Sequence, residues 1–334
     1  MIKVAMNGCG RIGRIAFREM ITSNNFDIVA INDLSTPEEL AYLIKYDTVH
    51  GKFHVNEISF DEENIIINNT KKIKVFRESD PSNLPWKEMN VDLVLECTGH
   101  FTKYEDSLKH IYAGAKKVLI SAPGKGEMKT VVNGVNTDIL DGSEQVVSAS
   151  SCTTNCLAPL LKIINDNFGI SKGYMITVHS LTNDQVTLDI SHKKGIYSRR
   201  GRCAFHNIIP TSTGAASSIG KVIPSLNGKM DGISYRVPTV DGSLIDVTLS
   251  LNKTTTVEEI NTVLTNNQND SIKVTNTPIV SSDIIGEEVG GLVDLNLTNV
   301  IETEDGQLVK LVAWYDNEWG YTCQMLKVAR CMFK

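Results

Sequence analysis

Short apolar runs alternate with helix-patterned stretches along the first half of the chain. The runs, typical of buried strands, span residues 2–6, 27–31, 91–96 and 116–121. Residues 15–20 and 104–114 repeat apolar positions every three or four residues, as amphipathic helices do. Strands that alternate with helices predict a parallel sheet with right-handed crossovers. The first half is therefore predicted to be a doubly wound α/β domain.

The second half has longer alternating runs and fewer helical patterns. These runs span residues 174–178, 232–237, 243–251 and 309–315, with a helical pattern at 256–266. They predict a largely antiparallel sheet covered on one face, in an α+β domain. Because a chain of 334 residues is longer than a typical domain with one hydrophobic core, we predict two domains. The first covers residues 1–151 and is completed by a C-terminal helix at 317–334, and the second covers residues 152–316.

A cysteine stands where these two patterns meet. Residues 145–150 are strand-like, and apolar residues from Leu157 to Ile164 then follow helical spacing. Pro159 leaves the start of this helix open, since proline suits a first turn and weakens a helix interior. Cys152 lies at the junction between the predicted strand and the predicted helix. The helix N-terminus favours negative charge there, which predicts a reactive thiolate.

A glycine-rich turn joins the first strand to the first helix. Residues 7–14 carry the spacing G-x-G-x-x-G as Gly8, Gly10 and Gly13, with Arg11 and Ile12 inside it. Such glycines let the backbone approach a pyrophosphate, whose charge the helix N-terminus stabilises. Asp33 ends the next strand, where a carboxylate accepts hydrogen bonds from adenosine ribose hydroxyls. The unit predicts a dinucleotide-binding domain, with NAD favoured by the carboxylate.

Other polar residues follow strand ends in the same half. Thr98, Ser121 and Cys152 each come directly after a predicted strand, as Asp33 does. Ligands of parallel sheets bind beyond the carboxyl ends of the strands. We therefore expect these residues to gather along one edge and to line the cofactor site.

Composition narrows the class of protein. The chain is 41% hydrophobic and 22% charged, as soluble globular proteins are, and no apolar run reaches the ~18 residues of a membrane helix. A net charge of −6 argues against nucleic acid as the main partner. Seven irregularly spaced cysteines and a start without a signal peptide predict reduced thiols in the cytoplasm. Cys152 and Cys156 have no nearby ligands at zinc spacing, so we predict no metal.

A long basic segment lies between His179 and Pro210. Its cations are Lys193, Lys194, Arg199, Arg200 and Arg202. Long polar loops of this kind are usually functional or form interfaces. A solvated loop and a role in binding or assembly both stay open.

Several motifs together resemble the phosphorylating glyceraldehyde-3-phosphate dehydrogenase family along essentially the full chain. The matching stretches are residues 7–14, 148–159 with the core SCTTNCLAP, 177–180, 210–216, 236–239 and 314–321. The resemblance implies an N-terminal Rossmann domain, a catalytic domain and a homotetramer. It implies oxidation of glyceraldehyde 3-phosphate with NAD and inorganic phosphate, through a hemithioacetal and a thioester on Cys152. His179 would be the general base.

The resemblance also implies binding roles. For the substrate phosphate the residues are Thr182 and Arg236, and for the attacking phosphate Ser151, Thr153, Thr213 and Gly214. Asn317 would hold the nicotinamide carboxamide, and Tyr321 would pack beside the ring. Arginine, hydroxyl and backbone donors suit phosphate oxygens.

The chain departs from the family pattern at a few places. Ile190-Ser191 stands where NAD-specific relatives have Leu-Pro, which keeps NADP open as an alternative cofactor. Ser79 replaces an arginine, residues 194–198 form a longer loop, and residues 240–242 replace a proline-containing turn. Two other functions compete: a dehydrogenase of erythrose 4-phosphate, and a non-catalytic protein that binds a partner through its basic loop.

Overall fold

A computed structural model describes residues 1–193, 195–304 and 306–333. Its contacts divide the chain into two compact units. The first contains residues 1–131, 137–151 and those from 325 onward, and the second contains residues 132–136 and 152–324. Lys194, in the predicted long loop, and Lys334, at the end of the predicted C-terminal helix, lie outside the described residues.

The first unit is built around a large sheet. Its strands are β1 (Ile2–Asn7), β2 (Phe26–Asn32), β3 (Tyr46–Asp47), β4 (Gly51–Lys52), β5 (Ile58–Phe60), β6 (Asn64–Ile67), β7 (Lys71–Phe76), β8 (Leu93–Glu96), β9 (Lys117–Ile120), β10 (Lys129–Thr130) and β11 (Val146–Ser148), and its helices are α1 (Arg11–Thr22), α2 (Pro37–Lys45) and α3 (Tyr104–Tyr112). The order of the large sheet is β10-β11-β9-β8-β1-β2-β7-β6-β5, and β3 pairs with β4 in a separate two-stranded sheet. From β10 to β7 all neighbours run parallel, and β6 and β5 continue antiparallel. The predicted doubly wound domain is confirmed.

Both faces of this sheet are covered. Val4 and Met6 point into one apolar cluster and Ala5, between them, into another. A strand buried on both faces reads as a continuous apolar run, which is why β1 has no polar alternation. The hairpin of β5 and β6 was not predicted from the sequence.

The second unit contains a second sheet. Its strands are β12 (Ile170–His179), β13 (Ile209–Ser212), β14 (Met230–Arg236), β15 (Ser243–Leu251), β16 (Ile272–Thr275), β17 (Gly291–Asp294), β18 (Asn299–Thr303) and β19 (Gly306–Tyr315), and its helices are α4 (Cys152–Phe168), α5 (Ile219–Val222) and α6 (Val257–Asn266). The order is β13-β14-β12-β15-β19-β17-β16, with β18 beside β19. Among the described strand pairs of this sheet, β12–β14 and β16–β17 are parallel and the others are antiparallel. The predicted, largely antiparallel sheet is confirmed. A last helix, α7 (Trp319–Cys331), begins in this unit.

Helix α4 resolves the question that Pro159 raised. The helix begins at Cys152, so Pro159 lies inside it rather than in its first turn. Proline cannot donate to the carbonyl four residues earlier, that of Asn155. A Cβ at Gly290 would lie 2.5 Å from that carbonyl oxygen, so glycine leaves it room. No described helix has the length and apolar content to cross a membrane.

Candidate active site

Cys152 is held at the first position of α4 and faces His179. The chain enters the helix through Ser150, whose φ of 61° lies in the left-handed region. Strand β12 ends at His179, and the Cys152 Sγ is 3.4 Å from the His179 Nε2. These are the two residues predicted to carry the chemistry, and the structure brings them into contact.

The hydrogen bonds of His179 fix which ring nitrogen can accept a proton. Nδ1 lies 2.8 Å from the carbonyl oxygen of Ser180, which can only accept, so Nδ1 carries the hydrogen. Nε2 is then the basic nitrogen, directed at the sulfur. The Arg236 Nη1 lies 2.9 Å from the same Nδ1 but can only donate, and its two hydrogens are taken by the Ser180 carbonyl and the Thr182 hydroxyl, each 3.2 Å away.

Burial is the largest cause of the pKa shifts of this pair. It raises the pKa of the Cys152 thiol, although the charge of Arg236 opposes the rise. Burial and then Arg236 lower the pKa of His179 to about 3. Both directions favour a neutral thiol beside a neutral imidazole, whereas the helix position alone predicted a thiolate. The sulfur is therefore expected to lose its proton to Nε2 as it attacks.

A cluster of two arginines and one carboxylate adjoins the pair. Arg236 is opposite His179 in the β12–β14 register, and its Nη1 lies 3.2 Å from the Thr182 Oγ1. Thr182 donates its hydroxyl to Asp184 at 2.5 Å, and Arg200 forms an ion pair with the same carboxylate. Two guanidiniums and one carboxylate leave net positive charge, which suits a phosphate dianion. Arg200 was noted only as part of the basic loop.

The other residues predicted to bind phosphate make local contacts. The Thr213 Oγ1 accepts from the Ala215 N–H at 3.2 Å, and the Gly214 carbonyl accepts from the Ser218 N–H at 3.0 Å. Ser151 is half-buried immediately before α4. The hydroxyl of Thr153 lies 3.0 Å from the Tyr315 hydroxyl.

Tyr315 was missed by the sequence analysis. It is buried, and its ring meets that of His179 edge-on at 6.0 Å between centroids. Thr177 donates its hydroxyl to the Leu244 carbonyl, so it can only accept from the Tyr315 hydroxyl, 2.8 Å away. Tyr315 must then accept from Thr153, the residue after the cysteine. The relay connects the start of α4 to β12 and β15.

A groove of about 500 Å³ in the first unit contains the dinucleotide motif. It is lined by Asn7, Gly8, Gly10, Asn32, Asp33, Leu34, Glu78, Ser79, Cys97, Thr98, His100 and Phe101. Each of the three glycines of the motif suits its position for a different reason. Gly8 has a φ of 89°, a Cβ on Gly13 would lie 2.3 Å from the Gly8 carbonyl oxygen, and a Cβ on Gly10 would meet nothing within 4 Å. The open space before Gly10, at the N-terminus of α1, fits a pyrophosphate.

The other residues predicted to bind the cofactor differ in whether they line this groove. Asp33 lines the groove, and its carboxylate accepts from the N–H groups of Cys9 and Ser35 at 2.7 and 2.9 Å. Arg11 instead forms an ion pair with Asp47, and Ile12 packs against the core. Ser121 donates its backbone N–H to the Glu96 carbonyl at the end of β8.

Asn317 and Tyr321 belong to the second unit. Asn317 is 5% exposed, and its Oδ1 accepts a 2.6 Å hydrogen bond from Ser243. This leaves its amide nitrogen to meet a ligand. Tyr321 is buried in the first turn of α7.

Two of the departures from the family pattern also lie in the second unit. Gly242, in the turn at residues 240–242, has a φ of 80°, and a Cβ there would lie 2.0 Å from the Ser281 carbonyl oxygen. Burial and the charges of Asp316 and Glu318 raise the pKa of Asp241 to about 9. Ile190 is 62% exposed on the long loop.

Comparison with known proteins agrees with this geometry. Residues 2–104 match the family model "Glyceraldehyde 3-phosphate dehydrogenase, NAD binding domain", and residues 151–317 match the model of the "C-terminal domain". The chain is 50% identical over 327 residues to proteins named "Glyceraldehyde-3-phosphate dehydrogenase" from Clostridium pasteurianum and Clostridium acetobutylicum, covering 98% of this chain and 97% of each relative. A protein of the same name from Streptococcus pyogenes is 49% identical over 332 residues, with the same coverage.

Proposed function

The chain belongs to the glyceraldehyde-3-phosphate dehydrogenase family and oxidises glyceraldehyde 3-phosphate with NAD, and we propose how its own residues carry out that reaction. The observation that carries the proposal is the 3.4 Å contact between the Cys152 Sγ and the His179 Nε2. A cysteine thiol is a nucleophile once a neighbouring base takes its proton. The tautomer of His179 supports that role for Nε2.

In the first half-reaction Cys152 forms the covalent bond to the substrate. Its sulfur adds to the aldehyde carbon, while His179 Nε2 takes the thiol proton and passes it to the new alkoxide oxygen. NAD supplies the acceptor for the hydride that leaves the hemithioacetal carbon. As the hydride leaves, Nε2 takes the hydroxyl proton, and a thioester on Cys152 remains.

In the second half-reaction inorganic phosphate attacks the thioester carbon. The carbon–sulfur bond breaks, the acyl phosphate leaves, and the imidazolium of His179 returns its proton to the sulfur. The proton lost by the attacking phosphate goes to solvent. The product is 1,3-bisphosphoglycerate.

The anion sites are proposed around the pair. Arg236 and Thr182 would hold the substrate phosphate, and the ion pair of Arg200 with Asp184 supports this assignment through the net positive charge it adds. Ser151, Thr153, Thr213 and Gly214 would hold the attacking phosphate. Asn317 would bind the nicotinamide carboxamide with its amide nitrogen, beside Tyr321.

NAD is proposed to be preferred over NADP. Asp33 supports this preference because a carboxylate at the ribose repels a 2′-phosphate. In the assay, the protein is incubated with glyceraldehyde 3-phosphate and either cofactor, with and without inorganic phosphate. We expect phosphate-dependent NADH formation, with at least tenfold lower kcat/KM for NADP, the fold-change equivalent to ~1.4 kcal/mol. Preference for NADP, or faster turnover of erythrose 4-phosphate, would contradict the assignment.

We also propose that the enzyme is a homotetramer. The segment 188–208 exposes large apolar side chains, among them Leu188 at 71%, Ile196 at 79% and Tyr197 at 96%. So many exposed large apolar side chains in one segment suggest an interface, and here the family points to a second copy of the chain as its occupant. The cytoplasmic location stays a prediction from composition.

The assembly can be tested by light scattering. The unmodified protein is expected to have four times the mass of one chain. Tyr197→Asp should shift it to a smaller species, since an interface core does not accept an unpaired charge. Tyr112→Asp, at a residue 75% exposed on α3, is the matched control and should leave the mass unchanged. A monomeric unmodified protein would refute the proposal.

A further inference from the structure

A buried carboxylate that the proposed chemistry does not use lies behind the dinucleotide groove. Glu96 ends β8 and is 1% exposed. Its Oε2 accepts from the Asn7 Nδ2 at 2.5 Å and lies 3.2 Å from the His110 Nε2. Its Oε1 accepts from the backbone N–H of Thr98 at 2.8 Å and from the Thr98 hydroxyl. Both oxygens of the carboxylate are therefore used twice.

The ring of His110 is held as a donor to Glu96. The indole Nε1 of Trp86 lies 3.1 Å from the His110 Nδ1, and an indole nitrogen can only donate. Nδ1 therefore accepts, and the hydrogen of the neutral ring is on Nε2, which faces Glu96. The carboxylate is thus given a fixed donor from α3.

One arm of this network reaches the adenosine side of the groove, which is the side that contains Asp33. The Asn7 Oδ1 accepts from the Asn32 Nδ2 at 2.7 Å, and Asn32 exchanges two hydrogen bonds with the backbone of Glu78. Asn7, Asn32 and Glu78 all line the groove. Glu96 thereby holds together the carboxyl ends of β1, β2 and β8.

The other arm reaches the glycine turn. Thr98 lines the groove, and its Cγ2 and backbone nitrogen are each 2.8 Å from where a Cβ on Gly8 would lie. Glu96 holds Thr98 through both its N–H and its hydroxyl. The position of Thr98 therefore limits the space that Gly8 and the turn after it can occupy.

We propose that Glu96 is a positioning residue for dinucleotide binding, because the hydrogen bonds of this one carboxylate hold both the glycine turn and the adenosine side of the groove. The inference rests on the proposed cofactor groove. Burying a carboxylate is costly even when it is fully hydrogen-bonded, and apolar residues would serve a sheet interior at least as well. Because Glu96 lies directly behind the residues that line the groove, its hydrogen bonds hold those residues in place.

The test uses Glu96→Gln in the full chain. A glutamine amide presents an N–H₂ group where one carboxylate oxygen was, so either Thr98 or the pair of Asn7 and His110 faces a donor instead of an acceptor. Asp92→Asn is the matched control. Asp92 lies just before the opposite end of β8 and accepts from the Lys3 N–H at 2.9 Å, which also connects β8 to β1. Gly10→Val tests the groove itself.

NAD binding to each protein is measured by calorimetry, and turnover at saturating NAD is measured separately. Glu96→Gln is expected to raise the dissociation constant for NAD by about tenfold or more, since hydrogen bonds to charged groups are involved. Its kcat at saturation should stay within about threefold of the unmodified protein, because Cys152 and His179 are untouched. Asp92→Asn should keep the original affinity, and Gly10→Val should lose binding.

Two results would overturn the inference: an affinity within about twofold of the original in Glu96→Gln, or equal losses in Glu96→Gln and Asp92→Asn. Unchanged binding in Gly10→Val would instead refute the proposed groove. If Glu96→Gln does not fold, Thr98→Val replaces it, since this variant keeps the shape and removes one donor. A weakened affinity in Thr98→Val supports the inference, and an unchanged affinity overturns it.

Discussion

Replacing Cys152 by alanine is expected to abolish turnover, with a loss in kcat/KM on the order of 10⁴- to 10⁶-fold, as in enzymes that lose a covalent nucleophile. Without the sulfur no hemithioacetal or thioester can form, so phosphate has no activated acyl group to attack. The measurement is NADH formation from glyceraldehyde 3-phosphate in the presence of phosphate. Mass spectrometry of the unmodified enzyme without phosphate should show the acyl group on Cys152.

Cys156→Ala is the matched control for this experiment. Cys156 lies about one turn further along α4, is fully buried, and has its pKa raised by burial. Removing it deletes the same atom from the same helix without touching His179. We expect activity within about threefold of the unmodified enzyme, together with a modest stability loss typical of a small cavity. Substantial NADH formation by Cys152→Ala would refute the covalent mechanism, whatever the control does.

Replacing His179 by asparagine is expected to lower kcat by about 10²- to 10⁴-fold, the range typical of a lost general base. The neutral imidazole accepts the thiol proton and later the hemithioacetal proton at the same Nε2, and an amide nitrogen can accept neither. Substrate binding should change little, because Arg236 keeps its contact with Thr182. The informative measurement is therefore the first turnover of NADH, observed by stopped flow.

The control for His179 is His54→Asn, which removes an exposed imidazole of the first unit, away from the proposed interface. It should leave the first turnover unchanged. A second comparison separates chemistry from positioning. Tyr315→Phe keeps the ring that packs on His179 and removes only the hydroxyl relay to Thr153 and Thr177. We expect it to slow the first turnover by about tenfold or less, far less than His179→Asn. Equal losses in the two variants would mean that the hydroxyl relay, which holds the start of α4, limits the first turnover as strongly as the loss of His179 does.

Sequence patterns alone determined the elements that carry the chemistry. The period of the apolar positions identified the parallel and antiparallel sheets, because burial on one face or two faces dictates that period locally. The G-x-G-x-x-G turn and the cysteine between strand and helix could also be recognised from the sequence, since each works through the backbone of a few consecutive residues. The resemblance to a known family then supplied His179, Arg236 and the phosphate residues, which no local pattern could have selected.

Only the tertiary structure decided the charge state and the surroundings of the site. Burial raises the pKa of Cys152 and lowers the pKa of His179, and both shifts depend on everything packed around the two residues and not on the helix position alone. Arg200 reaches Asp184 across sixteen residues of loop, and Tyr315 reaches Thr153 across 162 residues of chain. Glu96 and Asn7, 89 residues apart, meet because parallel strands end at the same edge. Contacts of this kind leave no periodic trace in a sequence, because either partner alone is an ordinary polar residue.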